Sequence, residues 1–527
     1  MIRLTAGVAA LLLAGSLSAQ DPRADSDPVD VTTLQARARA AEQAGQHDTA
    51  GDLYAQLAAL QPERAEWALA AAASWRAVER FNEALDVLEA SAQRAPENVD
   101  LAAGIATTYH LKAEAMLGRG VRDANVLFQF EEAARVAEAA LRRHPSERRL
   151  RVLLAQSQFQ LGDFGAARVS AEEVVRRFPL DPGGHLLVGQ VAFAQLMQLR
   201  GEEAQIAGEP ERQDLRQRGD AVRDRAAEAF AKVARLDPTR ARPHVQLGNL
   251  WGREGNDAAA LQHYRDALSI DAGATVNHHW VSTKLEAEQR VAWYDRVLAD
   301  YRKQPGANDA RAGSVLWWRA FALFEQREYP AAKDAFLTAI AANPGFANSR
   351  AYAMLAAYWS DDHGTAEREA ALYAAEGPRH FADHLRDHTD PDESVPILEY
   401  LAHRSYRARR LGRARDLNHV VAMVLDTADH WNNYAFLCRE TGRYAASLDA
   451  YRNALSLEPT SPQLLNDAAV ILHYHLAEPH HLAEAKQLYQ RASEEAKKVL
   501  ANASATSTEK SRARQAMADA RANLRKL

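Results

Sequence analysis

Three histidines spaced four residues apart are the strongest candidates for chemistry in this sequence. His380, His384 and His388 lie within RHFADHLRDHTD (379–390), and an aspartate directly precedes each of the last two. Residues four apart are neighbours on one face of a helix, and neighbouring imidazoles can bind a divalent cation such as zinc. The spacing therefore raises the hypothesis of a metal-dependent enzyme that uses these three side chains.

The residues around the histidines favour an ordinary amphipathic helix. Phe381 and Leu385 are also four apart and predict an apolar stripe with the histidines along its edge. Zinc enzymes usually add a carboxylate base, as in His-Glu-x-x-His, and no glutamate lies in this segment. A second cluster, HYHLAEPHH (473–481), is interrupted by Pro479. We therefore predict no metal and no other cofactor, and keep the metal-dependent enzyme as the alternative.

Sequence signatures of other common enzyme classes are absent. The chain has no Gly-x4-Gly-Lys-Ser/Thr phosphate loop and no Gly-x-Ser-x-Gly nucleophile motif. It also has no Gly-x-Gly-x-x-Gly after a predicted strand, and the repeats described below leave no room for a separate catalytic domain. We predict that the chain is not an enzyme.

The elements that carry these residues are predicted to be helices. The chain has 527 residues, which is more than one typical domain holds, and 47% are hydrophobic although only 7% are aromatic. Alanine-rich stretches such as AEWALAAAASW (65–75) suit close-packed helices better than sheets. The composition therefore predicts an all-α protein.

A period of 34 residues runs through the chain. Pairs of identical residues lie 34 positions apart. They are Pro62/Pro96, Pro145/Pro179, Pro344/Pro378, Ala50/Ala84, Ala133/Ala167, Ala226/Ala260 and Ala332/Ala366. A glycine lies five residues before several of these alanines, as at Gly45, Gly162 and Gly255. A fixed period of this length is typical of stacked helix-turn-helix repeats.

One segment shows a whole repeat unit. HWNNYAFLCRETGRYAASLDAYRNALSLEP (430–459) places Trp431, Gly442, Tyr451, Ala454 and Pro459 at spacings that resemble the tetratricopeptide repeat. This resemblance implies an all-α, right-handed superhelical solenoid of antiparallel helix pairs, with about ten or eleven units. A single pair cannot bury its own apolar face, so the units must stack.

The repeats and the stretches between them divide the chain into segments. They are a signal peptide (1–20), an acidic linker (21–32), N-terminal units of which one is lengthened (33–200), a charged insertion (201–220), central units (221–380), a second insertion (381–394), C-terminal units (395–500) and a capping helix (501–527). The register of the repeats is least defined in 274–306 and 379–427.

The first twenty residues predict export. MIRLTAGVAALLLAGSLSAQ combines one early positive charge, an uncharged run and small residues near its end. We expect cleavage and a periplasmic or extracellular location in a bacterium, with no stable membrane span after cleavage; a retained anchor is the alternative. Cys438 is the only cysteine, so packing alone must hold the exported chain, and its apolar surroundings predict a buried helix residue.

The partner is predicted to be another protein or peptide. The formal net charge of −6 argues against a nucleic acid. In the tetratricopeptide family, the first helices of successive units line a concave groove. The resemblance therefore implies the partner-binding residues Trp317, Phe321, Phe324, Tyr358, Trp359, Asn432, Phe436 and Arg439. We predict a non-catalytic interaction scaffold of the bacterial envelope, and an adaptor that binds cell-wall polymer is a further alternative.

Overall fold

The computed structural model describes residues 30–346 and 348–527 of the chain. About 80% of these residues are helical, and no strand occurs among them. The all-α prediction is therefore confirmed. The predicted signal peptide and most of the predicted acidic linker lie outside the described residues. No described helix combines the length and the apolar character that crossing a lipid bilayer requires.

The described chain forms two compact units, which meet in the sequence between Leu236 and Asp237. In the first unit each helix packs against the next one along the chain. Its helices are α1 (Val31–Gln43), α2 (His47–Leu60), α3 (Ala65–Ala77), α4 (Phe81–Arg94), α5 (Val99–Gly118), α6 (Ala124–Arg143), α7 (Arg148–Gln160), α8 (Phe164–Arg177), α9 (Pro182–Gln205) and α10 (Glu209–Leu236).

The second unit is also built mainly of helix pairs. Its helices are α11 (Arg242–Arg253), α12 (Asp257–Ile270), α13 (His278–Lys284), α14 (Ala287–Tyr301), α15 (Gly313–Glu325), α16 (Tyr329–Ala342), α17 (Asn348–Trp359), α18 (His363–Glu376), α19 (Pro378–His388), α20 (Pro391–Arg407), α21 (Leu411–Leu425), α22 (Ala428–Glu440), α23 (Tyr444–Leu457), α24 (Pro462–Ile471), α25 (Pro479–Ala501) and α26 (Ser507–Leu524). A π-helical turn, Leu472–Leu476, follows α24.

The turn between the two helices of a pair requires a left-handed residue. Gly45, Gly162 and Gly255 have φ values of +70°, +77° and +76° at this place. Arg327 and Asp361 occupy the same place in later pairs, with φ of +61° and +58°. Glycine adopts this conformation without steric cost, whereas other residues are strained there. Each of these left-handed residues lies five residues before a periodic alanine. This spacing therefore follows from the geometry of the turn.

Small residues and aromatic rings alternate where the helices of a pair touch. The periodic alanines, including Ala84, Ala260 and Ala332, are fully buried. Tyr264 is 3% exposed, and a Cβ at Gly248 would lie 2.5 Å from its ring. The helices can therefore approach closely only because one side of the contact is small. Cys438 is buried in α22, as predicted.

Two stretches depart from the regular period. The charged sequence around 201–220 lies in the ends of α9 and α10, which are lengthened to 24 and 28 residues. The stretch 381–394 belongs mainly to α19, an additional helix that packs against α17, α18, α20 and α21. At the end of the chain α26 begins with a capping box and packs against α24 and α25.

Candidate binding site

A cavity of about 460 Å³ opens among five helices of the second unit. Its walls come from the end of α15, the start of α16, the inner face of α17, the end of α19 and the start of α20. The lining residues are Phe321, Phe324, Glu325, Arg327, Tyr329, Tyr352, Leu355, Trp359, Asp387, His388, Thr389, Asp390, Glu393 and Ser394. The volume is within the range of natural ligand pockets.

The inner wall of the cavity is a continuous set of aromatic rings. The Phe324 ring lies 5.5 Å from Tyr352 and 5.7 Å from Trp359, measured between centroids. Tyr329 approaches Trp359 to 4.9 Å, and Phe321 approaches Tyr352 to 5.3 Å. Tyr352 is buried, whereas Phe321, Phe324, Tyr329 and Trp359 are half-buried. The rings therefore hold one another in place and still present faces to the cavity.

Trp317 supports this wall from behind. Its ring stacks on Phe321 at 5.2 Å with an interplanar angle of 6°, and it also contacts Tyr352 edge-on at 5.9 Å. The adjacency of Trp317 and Phe321 on one helix face agrees with their four-residue spacing. Trp317 does not itself line the cavity. Its structure-supporting contacts mean that its removal would disturb packing as well as any binding.

Negative charge dominates the rim of the cavity. The rim carries Glu325, Asp387, Asp390, Glu393 and Arg327. Glu325 is paired with Arg290 at 2.6 Å. Asp387 and Glu393 are exposed, and neither forms an ion pair with another described residue. Burial, followed by the nearby Glu325 carboxylate, raises the pKa of Tyr352 to about 12, so this phenol stays neutral.

The additional helix α19 is tied to the aromatic wall by hydrogen bonds. The Tyr352 hydroxyl donates to the His388 carbonyl oxygen at 3.0 Å. The Thr389 hydroxyl donates to the Leu385 carbonyl oxygen at 2.7 Å and lies 3.0 Å from the Ser394 hydroxyl. These bonds fix the end of α19 and the start of α20, and thereby the positions of the rim carboxylates.

The other predicted partner-binding residues lie elsewhere in the second unit. Tyr358 contacts His363 and Tyr400, at centroid distances of 5.1 and 5.6 Å, away from the cavity. Phe436 lines a second cavity of about 440 Å³ with Tyr406, His403, His430 and Glu399 among others. The Arg439 guanidinium lies 5.0 Å from the centre of the Phe436 ring, and Asn432 is half-buried on the same helix. The predicted partner-binding residues are thus divided among three places.

The three histidines of α19 do not converge on a common point. His380 forms a hydrogen bond with the Asn348 side chain at 3.0 Å, and His384 is buried against Tyr352. Burial lowers the pKa of His384 to about 4. The described part of the chain contains two groups of three residues whose ligand atoms lie within 4.8 Å of one another, and these histidines belong to neither. Their helix builds the cavity wall instead.

Several residues of the cavity are not among those predicted from the sequence to bind a partner. Tyr352 lies on α17 and Tyr329 at the start of α16, outside the groove positions that the repeat pattern assigns. Asp387 and Glu393 lie in 381–394, the predicted insertion that also carries His384 and His388, and are not among the predicted partner-binding residues. The one available signal was the density of acidic residues in RDHTDPDE (386–393). The position of this acidic segment relative to the aromatic rings depends on how α19 packs, which the sequence does not reveal.

Protein-family models agree with the repeat pattern in parts of the chain. Models of the tetratricopeptide repeat match residues 129–182, 153–195 and 428–461. No curated protein matches the chain. Among solved structures, a tetratricopeptide repeat protein from Parabacteroides merdae is 12% identical, with a TM-score of 0.34, and the match covers 62% of this chain and 98% of that one. A thermophilic tetratricopeptide protein of Thermus thermophilus is 16% identical, with a TM-score of 0.24 and coverage of 48% and 98%.

Proposed function

We propose that this chain of tetratricopeptide repeats is a non-catalytic scaffold that binds a basic segment of a protein partner. The observation that carries the proposal is the cavity of the second unit, in which half-buried aromatic rings face unpaired carboxylates. We propose that a lysine or arginine side chain of the partner enters it, with the flanking peptide lying across the rim.

The chemistry of the lining fits a cation. Aromatic faces carry partial negative charge and attract ammonium and guanidinium groups, by about 0.5–2 kcal/mol depending on solvent exposure. Phe324 and Trp359 offer such faces. Asp387 and Glu393 supply full negative charges at the rim, where they attract a basic partner during its approach. An anionic ligand would meet four carboxylates around the cavity and only Arg327 as a lining guanidinium.

The two alternatives from the sequence receive less support from the site. A cell-wall polymer could stack on the aromatic rings, but neutral sugars would leave the charges of Asp387 and Glu393 without a partner. An enzyme would need groups arranged for reaction. The His384 and His388 rings lie 5.1 Å apart, but His380 is hydrogen-bonded to Asn348 and His384 is buried against Tyr352. Binding alone therefore accounts best for the arrangement.

Selection of peptides tests the proposal. A phage-displayed library of random dodecapeptides is panned against the purified full chain, and enriched sequences are made synthetically. We expect enrichment of peptides that contain lysine or arginine. Glu393→Lys should weaken their binding about tenfold or more, because it replaces an attractive charge at the rim by a repulsive one.

Asp392→Lys is the matched control. Asp392 and Glu393 are adjacent, exposed and both in the first turn of α20, but only Glu393 lines the cavity. Both substitutions therefore change the charge of the same helix end equally. The proposal fails if no peptide is enriched, if Glu393→Lys and Asp392→Lys bind alike, or if wall glycans bind while cationic peptides do not.

We also propose that the protein acts in the bacterial envelope after export. The composition of residues 1–20 supports this proposal. Its test is the N-terminal sequence of the protein recovered from the periplasm or medium of its native host. A start near residue 20 is expected, and an uncleaved chain recovered from the cytoplasm would contradict it.

A further inference from the structure

Two histidines and an aspartate meet between the helices of the first pair in the second unit. His244 lies in the first turn of α11, and His263 and Asp266 lie three residues apart on α12. Residues three apart share one face of a helix. The His244 and His263 rings are 5.7 Å apart, and the ligand atoms of all three residues lie within 4.8 Å of one another.

The facing atoms of this group lack hydrogen-bond partners. The Nδ1 atoms of His244 and His263 are buried, and neither forms a hydrogen bond with a described residue. They lie 3.8 and 4.0 Å from Asp266 Oδ2, which is beyond hydrogen-bond distance. Buried polar atoms in proteins are normally paired, so two unpaired ring nitrogens that face the same carboxylate oxygen call for an explanation.

We propose that His244, His263 and Asp266 form a binding site for a divalent transition-metal ion, with zinc as the best-fitting ion. Two imidazoles and one carboxylate are a ligand set that zinc accepts. The ion would accept a lone pair from each facing atom and so satisfy both ring nitrogens. It would also tie α11 to α12, because one ligand comes from the first helix and two from the second.

The distances require only a small adjustment. With bonds of about 2.1 Å, neighbouring ligand atoms around a tetrahedral zinc ion lie roughly 3.4 Å apart. The separations of His244 Nδ1 and His263 Nδ1 from Asp266 Oδ2 are 3.8 and 4.0 Å, and the ligand atoms of the two histidines lie within 4.8 Å of each other. Binding of the ion would draw the three side chains closer together.

Surrounding contacts hold the ligands in place. The Gln262 side-chain amide donates to Asp266 Oδ1 at 2.7 Å, which orients the carboxylate and leaves Oδ2 towards the histidines. Hydrogen bonds of this kind to metal-binding residues are common in metal sites. The three side chains are 19–34% exposed, so solvent or a partner's ligand can reach a fourth coordination position.

The chain contains a second group that serves as an internal control. Glu478, His480 and His481 also lie close together, but both Glu478 and His480 are exposed and all three are near neighbours in sequence. Such a group is expected at the start of α25 whether or not a metal binds. Removing its histidines leaves the proposed site unchanged.

Zinc titration of the metal-free full chain tests the proposal. We expect one equivalent of zinc to bind, as measured by calorimetry, and cobalt substitution to give the visible absorption of tetrahedral coordination. Because zinc binds only the folded chain at this site, a concentration about 100-fold above the dissociation constant should raise the melting temperature by several degrees.

Variants distinguish this site from other histidines. His263→Gln and Asp266→Asn should each lose the stoichiometric zinc and the cobalt spectrum, whereas the double variant His480→Ala/His481→Ala should keep both. Circular dichroism of the metal-free variants checks that they remain folded. Absence of saturable zinc binding, binding that survives both His263→Gln and Asp266→Asn, or loss only in the double variant would overturn the proposal.

Discussion

Phe381→Ala is expected to lower the free energy of unfolding of the second unit by about 3–5 kcal/mol, the usual cost of removing a fully buried phenylalanine. Phe381 is completely buried on α19 and stacks on Tyr373 at 4.4 Å. It belongs to the hydrophobic cluster that joins α19 to α17, α18, α20 and α21. Its loss should therefore loosen the helix that carries Asp387 and closes the cavity.

Thermal unfolding and hydrogen exchange measure this effect. We expect a clearly lower melting temperature for Phe381→Ala and faster amide exchange across 378–390. His380→Ala, on the same helix, is the control, because His380 is exposed and loses one hydrogen bond to Asn348. If both variants melted alike, α19 would not be anchored as described.

Acidification is expected to destabilise the second unit between about pH 6.5 and pH 4. Burial lowers the pKa of His278 to about 4, and burial together with the neighbouring His388 and His380 lowers the pKa of His384 to about 4. The ordinary histidine value is 6.5. Between these values the unfolded chain binds more protons than the folded chain, so stability falls as the pH falls. Above pH 6.5 the full contribution is present.

The loss of stability on acidification follows from the difference between the folded and unfolded pKa values of these histidines. Each histidine contributes about 2 kcal/mol less stability at pH 5 than at pH 7. Denaturant unfolding at the two pH values measures it. The double variant His278→Gln/His384→Gln should lose markedly less stability on acidification than the original chain, and His480→Gln, at an exposed position, is the control. Equal losses in all three proteins would contradict the prediction.

The repeated features of the fold could be predicted from the sequence because every repeat has the same turn and the same helix contact. Gly255 is needed where the backbone adopts positive φ, and Ala260 where two helices touch. Tyr264 fills the space that Gly248 leaves. These requirements recur at a fixed spacing, so their residues recur at the same spacing. Helix type, helix pairing and the buried faces could therefore be predicted.

The cavity could be predicted only in part, because its walls do not follow the repeat. Phe321, Phe324 and Trp359 occupy regular positions on α15 and α17, are among the residues predicted to bind a partner, and line the cavity. The opposite wall comes from α19, which interrupts the period, and no spacing rule predicts where an additional helix packs. Asp387 at the end of α19 and Glu393 at the start of α20 line the cavity with the rings because of where these two helices pack.

The proposed metal site could not be predicted from the sequence, because its residues come from two different helices. The three histidines of α19 have the spacing of neighbours on one helix. His244 and His263 have 18 residues between them in the sequence, so no local spacing rule relates them. They meet because α11 and α12 pack side by side. His384, in contrast, is directed into the core by the apolar stripe that contains Phe381.

Whether a cationic side chain of a protein partner enters the cavity of the second unit is tested most directly by one pair of affinities. A selected arginine-containing peptide is compared by calorimetry with the same peptide in which citrulline replaces that arginine, since citrulline has nearly the same shape and no charge. We expect the citrulline peptide to bind the full chain about tenfold more weakly or worse, because the carboxylates and aromatic faces lose their cationic partner. Equal affinity of the two peptides would contradict it.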